Sequence, residues 1–248
     1  MKKLVKTIPL LMASIGFASS ALAGVHWGYE GNELPENWAQ LSPEYQMCGL
    51  GKNQSPVNIS GAIEAQIGQL KTHYGQTSGE IVNNVHTVQI TEKNPNDYVI
   101  VNGERYDLIQ FHFHSPSENK INGKSYPMEG HFVHANKNGD LLVMAVMFDE
   151  GAENTSAEQL LSLLSEEENK PTNFDNINIS SFLPKDKSYY RFSGSLTTPP
   201  CSEGVTWIVL KHPMTLSKTE IDKFSHAFKH HNNRPIQPLN GRIIISNN

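Results

Sequence analysis

Long apolar runs, excess positive charge and internal repeats are all missing from this 248-residue chain. The net charge is −5, and it becomes −8 without the three lysines of residues 1–23, which argues against nucleic acid and anionic membrane surfaces as partners. After residue 23 no apolar run is long enough to span a bilayer, so we expect no membrane contact in the mature protein. The absence of repeats and low-complexity segments indicates an ordinary globular domain.

The first 23 residues have the pattern of a secretory signal. Lysines come first, a short apolar stretch follows, and Ala-Leu-Ala ends at Ala23. We therefore expect cleavage after Ala23 and export to the periplasm or the medium. Residues 24–248 then form one domain, since 225 residues can build a single substantial core.

Cysteine is scarce, and both copies, Cys48 and Cys201, lie in the mature part of the chain. An even pair in an exported chain favours a disulfide over a metal or redox site. The bridge would tie the two ends of the domain together.

Strand patterns dominate the chain. Asn102 and Gly103 separate two strand-like runs, which is a strong hairpin signal. The continuous apolar runs at 141–148 and 205–211 predict buried strands.

Two helices interrupt the strands. Thr155 with Glu158, and Ser217 with Glu220, form capping-box patterns ahead of apolar helical faces. We expect an α+β, mostly β, single domain: a large, twisted, predominantly antiparallel sheet with a few flanking helices.

The segment FHFHSPSEN, residues 111–119, places two histidines two positions apart. Residues two apart share one face of a strand, so His112 and His114 can bind one ligand only if this segment is extended. Gln110 then shares their face. The opposite face carries three apolar residues, Ile109, Phe111 and Phe113.

A second cluster, MEGHFVH at residues 128–134, puts Glu129, His131 and Val133 on one face by the same rule. If the two strands pair, His131 completes a site of three imidazoles. Three neutral imidazoles suit zinc and leave its fourth position open, as in catalytic sites. Gln110 and Glu129 are placed to hold the outer ring nitrogens. The alternative is that these histidines only form hydrogen bonds in the core.

A cupin-type iron or manganese site is a competing interpretation, because His112, His114 and Glu118 also match His-x-His-x3-Glu. Two features oppose it. Tyr106 stands where the cupin pattern has glycine, and Pro127 and Gly130 are one residue too far apart.

Six segments resemble the α-class carbonic anhydrases, most closely the exported bacterial members, in order and spacing. They are HWGYEG, GKNQSPVNI, QFHFHSPSEN, MEGHFVHAN, GSLTTPPCSEGVTWIVLK and NNRPIQPLN. The resemblance covers nearly all of the mature chain, and Cys48 and Cys201 fall where the bacterial members have a disulfide.

This resemblance implies a Zn²⁺ cofactor held by His112, His114 and His131. Thr197 and Glu118 match the pair that orients the zinc-bound hydroxide, because an ionised carboxylate can only accept a hydrogen bond. The remaining matches are Gln110 and Glu129 beside the ligands, and a CO2 pocket of Val133, Val143, Leu196, Thr198 and Trp207.

The resemblance also assigns His86 as a proton shuttle, since an imidazole takes and releases protons near neutrality. Tyr29, Asn84 and Gln89 match residues that order water along the proton path. Val85 departs from the family, where many members have glycine, and it stiffens the backbone beside the shuttle.

The implied reaction is hydration of CO2 to bicarbonate through attack by zinc-bound hydroxide, carried out by a monomer or homodimer. Some family members lost zinc ligands and only bind other molecules. All three histidines, Thr197 and Glu118 are present here, which favours catalysis.

Overall fold

The computed structural model describes residues 25–93 and 96–247. The predicted signal peptide at residues 1–23 lies outside the described residues, so its boundary with the domain stays a prediction. None of the helices in the described ranges is long and apolar enough to cross a membrane.

Strands make up most of the regular structure. In the described part of the chain they are β1 (Asn58–Ile59), β2 (Ile63–Glu64), β3 (Lys71–His73), β4 (Gln76–Asn83), β5 (Val88–Glu92), β6 (Tyr98–Val101), β7 (Glu104–His114), β8 (Lys120–Ile121), β9 (Met128–Ala135), β10 (Leu141–Glu150), β11 (Thr172–Asn178), β12 (Tyr189–Ser195), β13 (Glu203–Leu210), β14 (Met214–Leu216) and β15 (Ile245–Ser246).

Thirteen of these strands form one sheet, in the order β11-β4-β5-β7-β9-β10-β13-β12-β15-β2, with β3, β6 and β14 paired beside this path. Nine of its twelve strand pairings are antiparallel, and the parallel ones are β10 with β13, β10 with β14, and β15 with β2. β1 and β8 form a separate parallel pair. The predicted fold class, a mostly β single domain on a large and predominantly antiparallel sheet, is confirmed.

Within the described ranges, four short α-helices accompany the sheet: α1 (Trp38–Leu41), α2 (Met47–Leu50), α3 (Thr155–Leu163) and α4 (Lys218–Phe228). Single 3₁₀ turns occur at Gly31–Glu33, Pro35–Asn37, Pro43–Tyr45 and Ile179–Phe182.

The β6–β7 hairpin confirms the turn prediction. Val101 lies opposite Glu104, so the connection has only two residues. Asn102 and Gly103 both take positive φ values, 52° and 81°, as a type I′ turn requires.

One face of the central strands carries the main core. Phe111 and Phe113 of β7 and Phe132 of β9 are fully buried there, together with Leu160 of α3 and Phe224 of α4. The rings of Phe113 and Phe224 are 4.6 Å apart. Full burial of such a side chain contributes about 1.5–3 kcal/mol, so this face holds α3 and α4 on the flank of the sheet, as predicted.

The prediction for Ile109 is wrong. Leu108 pairs with His134 and Gln110 pairs with Val133, so Ile109 is the extra residue of a β-bulge in β7. Its side chain is 45% exposed, whereas Leu108 is buried in its place. The bulge shifts the alternation of buried and exposed side chains in β7 by one residue, on the N-terminal side of His112.

The capping box is present in α4 but absent from α3. The Ser217 hydroxyl accepts from Glu220 N at 3.3 Å, and the Glu220 carboxylate accepts from Ser217 N at 2.7 Å. In α3 the cap is Asn154, one residue before the predicted Thr155. Its Oδ1 accepts from two backbone N–H groups of the first turn, at 3.1 and 3.2 Å, which leaves Thr155 as the first helical residue.

The predicted disulfide is present. Cys48 in α2 is bonded to Cys201, which lies between β12 and β13. Neither sulfur is therefore available as a metal ligand.

Candidate metal centre and active site

Three histidines meet on the two central strands β7 and β9. His112 and His114 lie two residues apart on β7, and His131 of β9 is paired directly with His112. One ring nitrogen from each lies within 4.8 Å of the others. The strand and face parity predicted from the sequence therefore brings these residues together.

A polar atom faces the outer nitrogen of each ring. Nδ1 of His112 lies 2.8 Å from Gln110 Oε1, and Nδ1 of His114 lies 2.7 Å from the backbone oxygen of Asn232. Nε2 of His131 lies 3.0 Å from Glu129 Oε1, although its N–H direction is poorly aligned for a hydrogen bond. Each ring is thus oriented with one nitrogen left toward the common centre.

Asn232 was missed at the sequence level. It lies in the NNRPIQPLN segment. Every residue has a backbone carbonyl, so the residue type does not indicate which carbonyl contacts His114. Its side chain is also engaged: Oδ1 accepts from Ser115 N, and Nδ2 donates to the carbonyls of His86 and Phe113.

The site fits a metal ion by the chemistry of its donors. His114 Nε2 is buried without a hydrogen-bond partner among the described residues, and its nearest acidic oxygen, Glu118 Oε2, is 3.6 Å away. Burial lowers the pKa of all three imidazoles, which keeps them neutral and able to coordinate. The open side of such a site accepts a water molecule or substrate.

Glu129 is fully buried and anchors the segment after β7. Its carboxylate accepts from Glu118 N at 2.7 Å, from Asn119 N at 2.8 Å and from Asn119 Nδ2 at 2.7 Å. Burial raises its pKa to about 7, and the donors from Asn119 oppose that rise. The same carboxylate therefore lies beside His131 and positions the backbone of Glu118.

Glu118 points toward the histidines. Its Oε1 accepts from Arg234 N at 2.7 Å, while Oε2 lies 3.8 Å from His131 Nδ1. Burial raises the pKa of Glu118 to about 8, and the Arg234 N–H and the Thr197 hydroxyl act against this rise. A bound dication would further favour the ionised carboxylate.

The loop that carries Thr197 and Thr198 is held in place through Cys201. Cys201 N donates to Thr198 O at 2.8 Å, and Cys201 is held by the disulfide. Thr197 is 6% exposed and Thr198 is half-buried. The loop therefore presents both hydroxyl residues from a fixed backbone.

Four of the five predicted pocket residues belong to one apolar cluster on the second face of the sheet, and Thr198 is not among them. Val133, Val143 and Trp207 are buried in one cluster, and Leu196 packs at its edge, partly exposed. The Trp207 ring centre is 5.0 Å from that of His131. An apolar wall thus adjoins the imidazole cluster.

His86 lies at the turn between β4 and β5, stacked on Trp27. Their ring centres are 3.8 Å apart and the planes differ by 7°. Burial, with smaller effects from His26 and His230, lowers the pKa of His86 to about 4. Sequence reasoning missed Trp27, because the stacking partner lies far away in the chain.

The backbone around His86 has an unusual shape. Val85 takes φ 77°, a left-handed conformation that β-branched residues disfavour. Asn84 Oδ1 accepts from the N–H groups of His86 and Thr87, and its Nδ2 donates to Gln89 Oε1 at 3.3 Å. Asn84 therefore holds the turn in place.

Tyr29 is buried with its ring 5.8 Å from Trp27 and 5.6 Å from His230. Its pKa is raised by burial and by the nearby Glu118 charge. Tyr29 thus lies close to both His230 and Glu118.

A large, mainly antiparallel sheet with three oriented imidazoles on one face defines a candidate metalloenzyme. The sequence model of the family described as eukaryotic-type carbonic anhydrase matches residues 33–248. A carbonic anhydrase from Pectobacterium carotovorum is 49% identical over 239 residues, covering 95% of this chain and 96% of the relative. One from Klebsiella pneumoniae is 50% identical over 222 residues, covering 89% and 90%.

Among solved structures, the α-carbonic anhydrase of Thermovibrio ammonificans in complex with sulfanilamide superposes with a TM-score of 0.87 at 46% identity, covering 90% of this chain and 99% of that one. The chain therefore belongs to the eukaryotic-type, or α, carbonic anhydrase family. The cupin alternative is not favoured, since cupins are eight-stranded jelly rolls and this sheet has thirteen strands.

Proposed function

We propose that this chain catalyses the zinc-dependent, reversible hydration of CO2 to bicarbonate and a proton. The observation that carries the proposal is the convergence of three neutral imidazoles, two buried and one half-buried, in a member of this family. When bound, zinc supplies Lewis-acid chemistry that makes a water molecule reactive near neutral pH. The other steps of the reaction depend on groups of the protein itself.

The three histidines hold the metal through the nitrogens that face the common centre. Gln110 and the Asn232 carbonyl fix the orientations of the His112 and His114 rings from behind, and Glu129 lies 3.0 Å from the outer nitrogen of His131. Such outer contacts also raise the basicity of the ligand nitrogens.

Thr197 and Glu118 orient the attacking water. Ionised Glu118 can only accept a hydrogen bond, so the Thr197 hydroxyl donates its hydrogen bond to Glu118. The Thr197 oxygen is then left to accept a hydrogen bond from the water, which aims a lone pair at the carbon of CO2.

The apolar wall of Val133, Val143, Leu196 and Trp207 suits a linear, uncharged substrate that offers little to a hydrogen-bond donor. Thr198 lies at the substrate edge of the same loop. His86 carries the released proton outward, with Tyr29, Asn84 and Gln89 ordering water along the way.

The protein acts after export, in the periplasm or outside the cell, as a monomer or homodimer. The signal pattern of residues 1–23 and the Cys48–Cys201 disulfide support export. One chain supplies every candidate site residue, so a second copy is not needed for the chemistry. The presence of all three histidines, Thr197 and Glu118 argues against a binding protein without activity.

The proposal is tested with His114→Ala. We expect one zinc per chain in the unmodified protein, and loss of both the zinc and nearly all CO2 hydration in the variant, because two ligands hold the metal poorly. Metal analysis and stopped-flow hydration measure the two effects. The control is His212→Ala, an exposed histidine paired with Asp186. Full activity of His114→Ala, or stoichiometric iron or manganese in the unmodified protein, contradicts the proposal.

A further inference from the structure

Two buried carboxyl groups meet at the end of β5 opposite to the His86 turn. Glu92 is the last residue of β5 and Asp97 directly precedes β6. Glu92 is only 9% exposed and Asp97 only 5%. Neither residue takes part in the proposed hydration of CO2.

Most of the oxygen atoms in this pair lack a hydrogen-bond partner. Asp97 Oδ1 accepts from Gly75 N at 3.1 Å. Asp97 Oδ2 and both carboxylate oxygens of Glu92 are buried without a well-aligned donor among the described residues. The Thr77 hydroxyl approaches Glu92, and this side chain is also buried, at 9% exposure.

Neighbouring side chains do not supply the missing positive charge. Lys93, next to Glu92 in sequence, is exposed and contacts Asn173 and Glu80 instead. Tyr74 is neutral, with its pKa raised by burial and by the two carboxyl groups, and its hydroxyl pairs with His134. His134 is itself kept neutral by burial, which lowers its pKa to about 4.

Two buried carboxylates in contact repel each other, so a second ionisation needs compensation. Either the pair keeps one proton or it binds a cation. Burial and the contact with Asp97 raise the pKa of Glu92 to about 8, so the competition with a cation takes place in the neutral range. Carboxylate and hydroxyl oxygens in an irregular arrangement are the ligands that Ca²⁺ accepts, whereas Mg²⁺ demands a near-ideal octahedron.

We propose that Glu92 and Asp97, with the Thr77 hydroxyl, form a binding site for Ca²⁺ that is separate from the histidine centre. The ion clamps the start of β4, which carries Thr77, to the end of β5 and the start of β6. Its effect is on stability, and it takes no part in CO2 hydration.

The test uses the purified zinc-loaded protein in buffer freed of other divalent cations, at pH 7.5. Calorimetric titration with CaCl2 should show one site. At a free concentration one hundred times the dissociation constant, the midpoint of thermal unfolding should rise by about 5 °C or more. The rate of CO2 hydration should stay unchanged, so a failure of this proposal is distinct from a failure of the proposed function.

Variants identify the ligands. Glu92→Gln keeps the shape of the side chain and should abolish the calcium-dependent shift, and Asp97→Asn should do the same. Glu80→Gln, which alters an exposed carboxylate of β4, should keep the full shift. A full calcium shift in Glu92→Gln would place the ion elsewhere and overturn the proposal.

A shared proton predicts a different set of results. Calcium would then have no effect, and Glu92→Gln would be more stable than the unmodified protein. Stability would also fall as the pH rises from about 5 to 8, because the folded state holds a proton that the unfolded chain has released. This combination would refute the calcium site.

Discussion

The position of His86 opposes the proton-carrying role that we propose for it. While its ring is stacked on Trp27, its pKa of about 4 leaves it neutral near neutral pH, whereas a proton carrier works best with a pKa close to the pH of the solution. If His86 carries protons as proposed, its ring has to leave Trp27 in each catalytic cycle. Val85 at φ 77° limits how freely the backbone can help that movement.

Replacing His86 tests this role. We expect His86→Ala to lower kcat for CO2 hydration in weak buffer by about tenfold or more, at the low end of general acid–base contributions. The attack on CO2 is a separate step, so kcat/KM should stay near that of the unmodified protein, and added imidazole should restore kcat. Equal losses in kcat and kcat/KM without rescue would mean that His86 only supports the structure.

At the scale of elements, α3 and α4 are joined through the residue that caps α3. Asn154 Oδ1 accepts from the first turn of α3, and its Nδ2 donates to Ser181 O at 2.9 Å. Its backbone N–H donates to the Glu220 carboxylate at 2.9 Å, and that carboxylate also caps α4. One buried carboxylate and one buried amide therefore hold the starts of both helices.

The cap can be tested against its neighbour. Asn154→Ala should lower the free energy of unfolding by about 1–2 kcal/mol, because two N–H groups of α3 and the Ser181 carbonyl lose their partner. Thr155→Ala is the matched control, since this exposed side chain should contribute no more than about 0.5 kcal/mol. Urea denaturation measures both variants. If Thr155→Ala lowered the free energy of unfolding more than Asn154→Ala does, Thr155 would be the cap instead.

At the scale of the whole molecule, the disulfide connects parts of the chain that are 153 residues apart. Arg234 lies beside it, only 2% exposed, and donates to Cys48 O at 2.8 Å and to Gln54 Oε1 at 2.9 Å. Gln54 in turn donates to Cys201 O at 3.0 Å. The bridge and this network close the domain behind the Thr197 loop.

Reduction of the disulfide should lower the free energy of unfolding by roughly 4–5 kcal/mol on the chain-entropy account of long loops. Denaturation of oxidised and reduced protein, each checked by mass spectrometry, measures the difference. If protein recovered from the exported fraction had two free thiols, the bridge would not form and the prediction would be wrong.

Acid should destabilise the molecule through buried His134. Burial lowers its pKa from 6.5 to about 4, so between these values the unfolded chain binds a proton that the folded protein does not. Stability is therefore lost as the pH falls from 6.5 toward 4, by up to about 3 kcal/mol for this group. In His134→Gln the fall between pH 7 and 5 should be smaller, as measured by denaturation. An unchanged slope would assign the acid sensitivity to other groups.

The sequence by itself determined the features that depend on short-range geometry. Strand periodicity puts His112 and His114 on one face, and the Asn102-Gly103 turn permits only a tight hairpin. Six motifs in the right order sufficed to indicate the family. These inferences need only the local chain and the alternation of side chains.

Only the tertiary structure decided how distant backbone segments meet. The carbonyl of Asn232 behind His114, the stacking of Trp27 on His86, and the contact of Glu92 with Asp97 have no signal in residue type. The bulge at Ile109 depends on the register of β7 against β9, and the sequence of β7 alone does not determine that register. Long-range packing selects these contacts, because each one is stable only when the whole sheet is assembled.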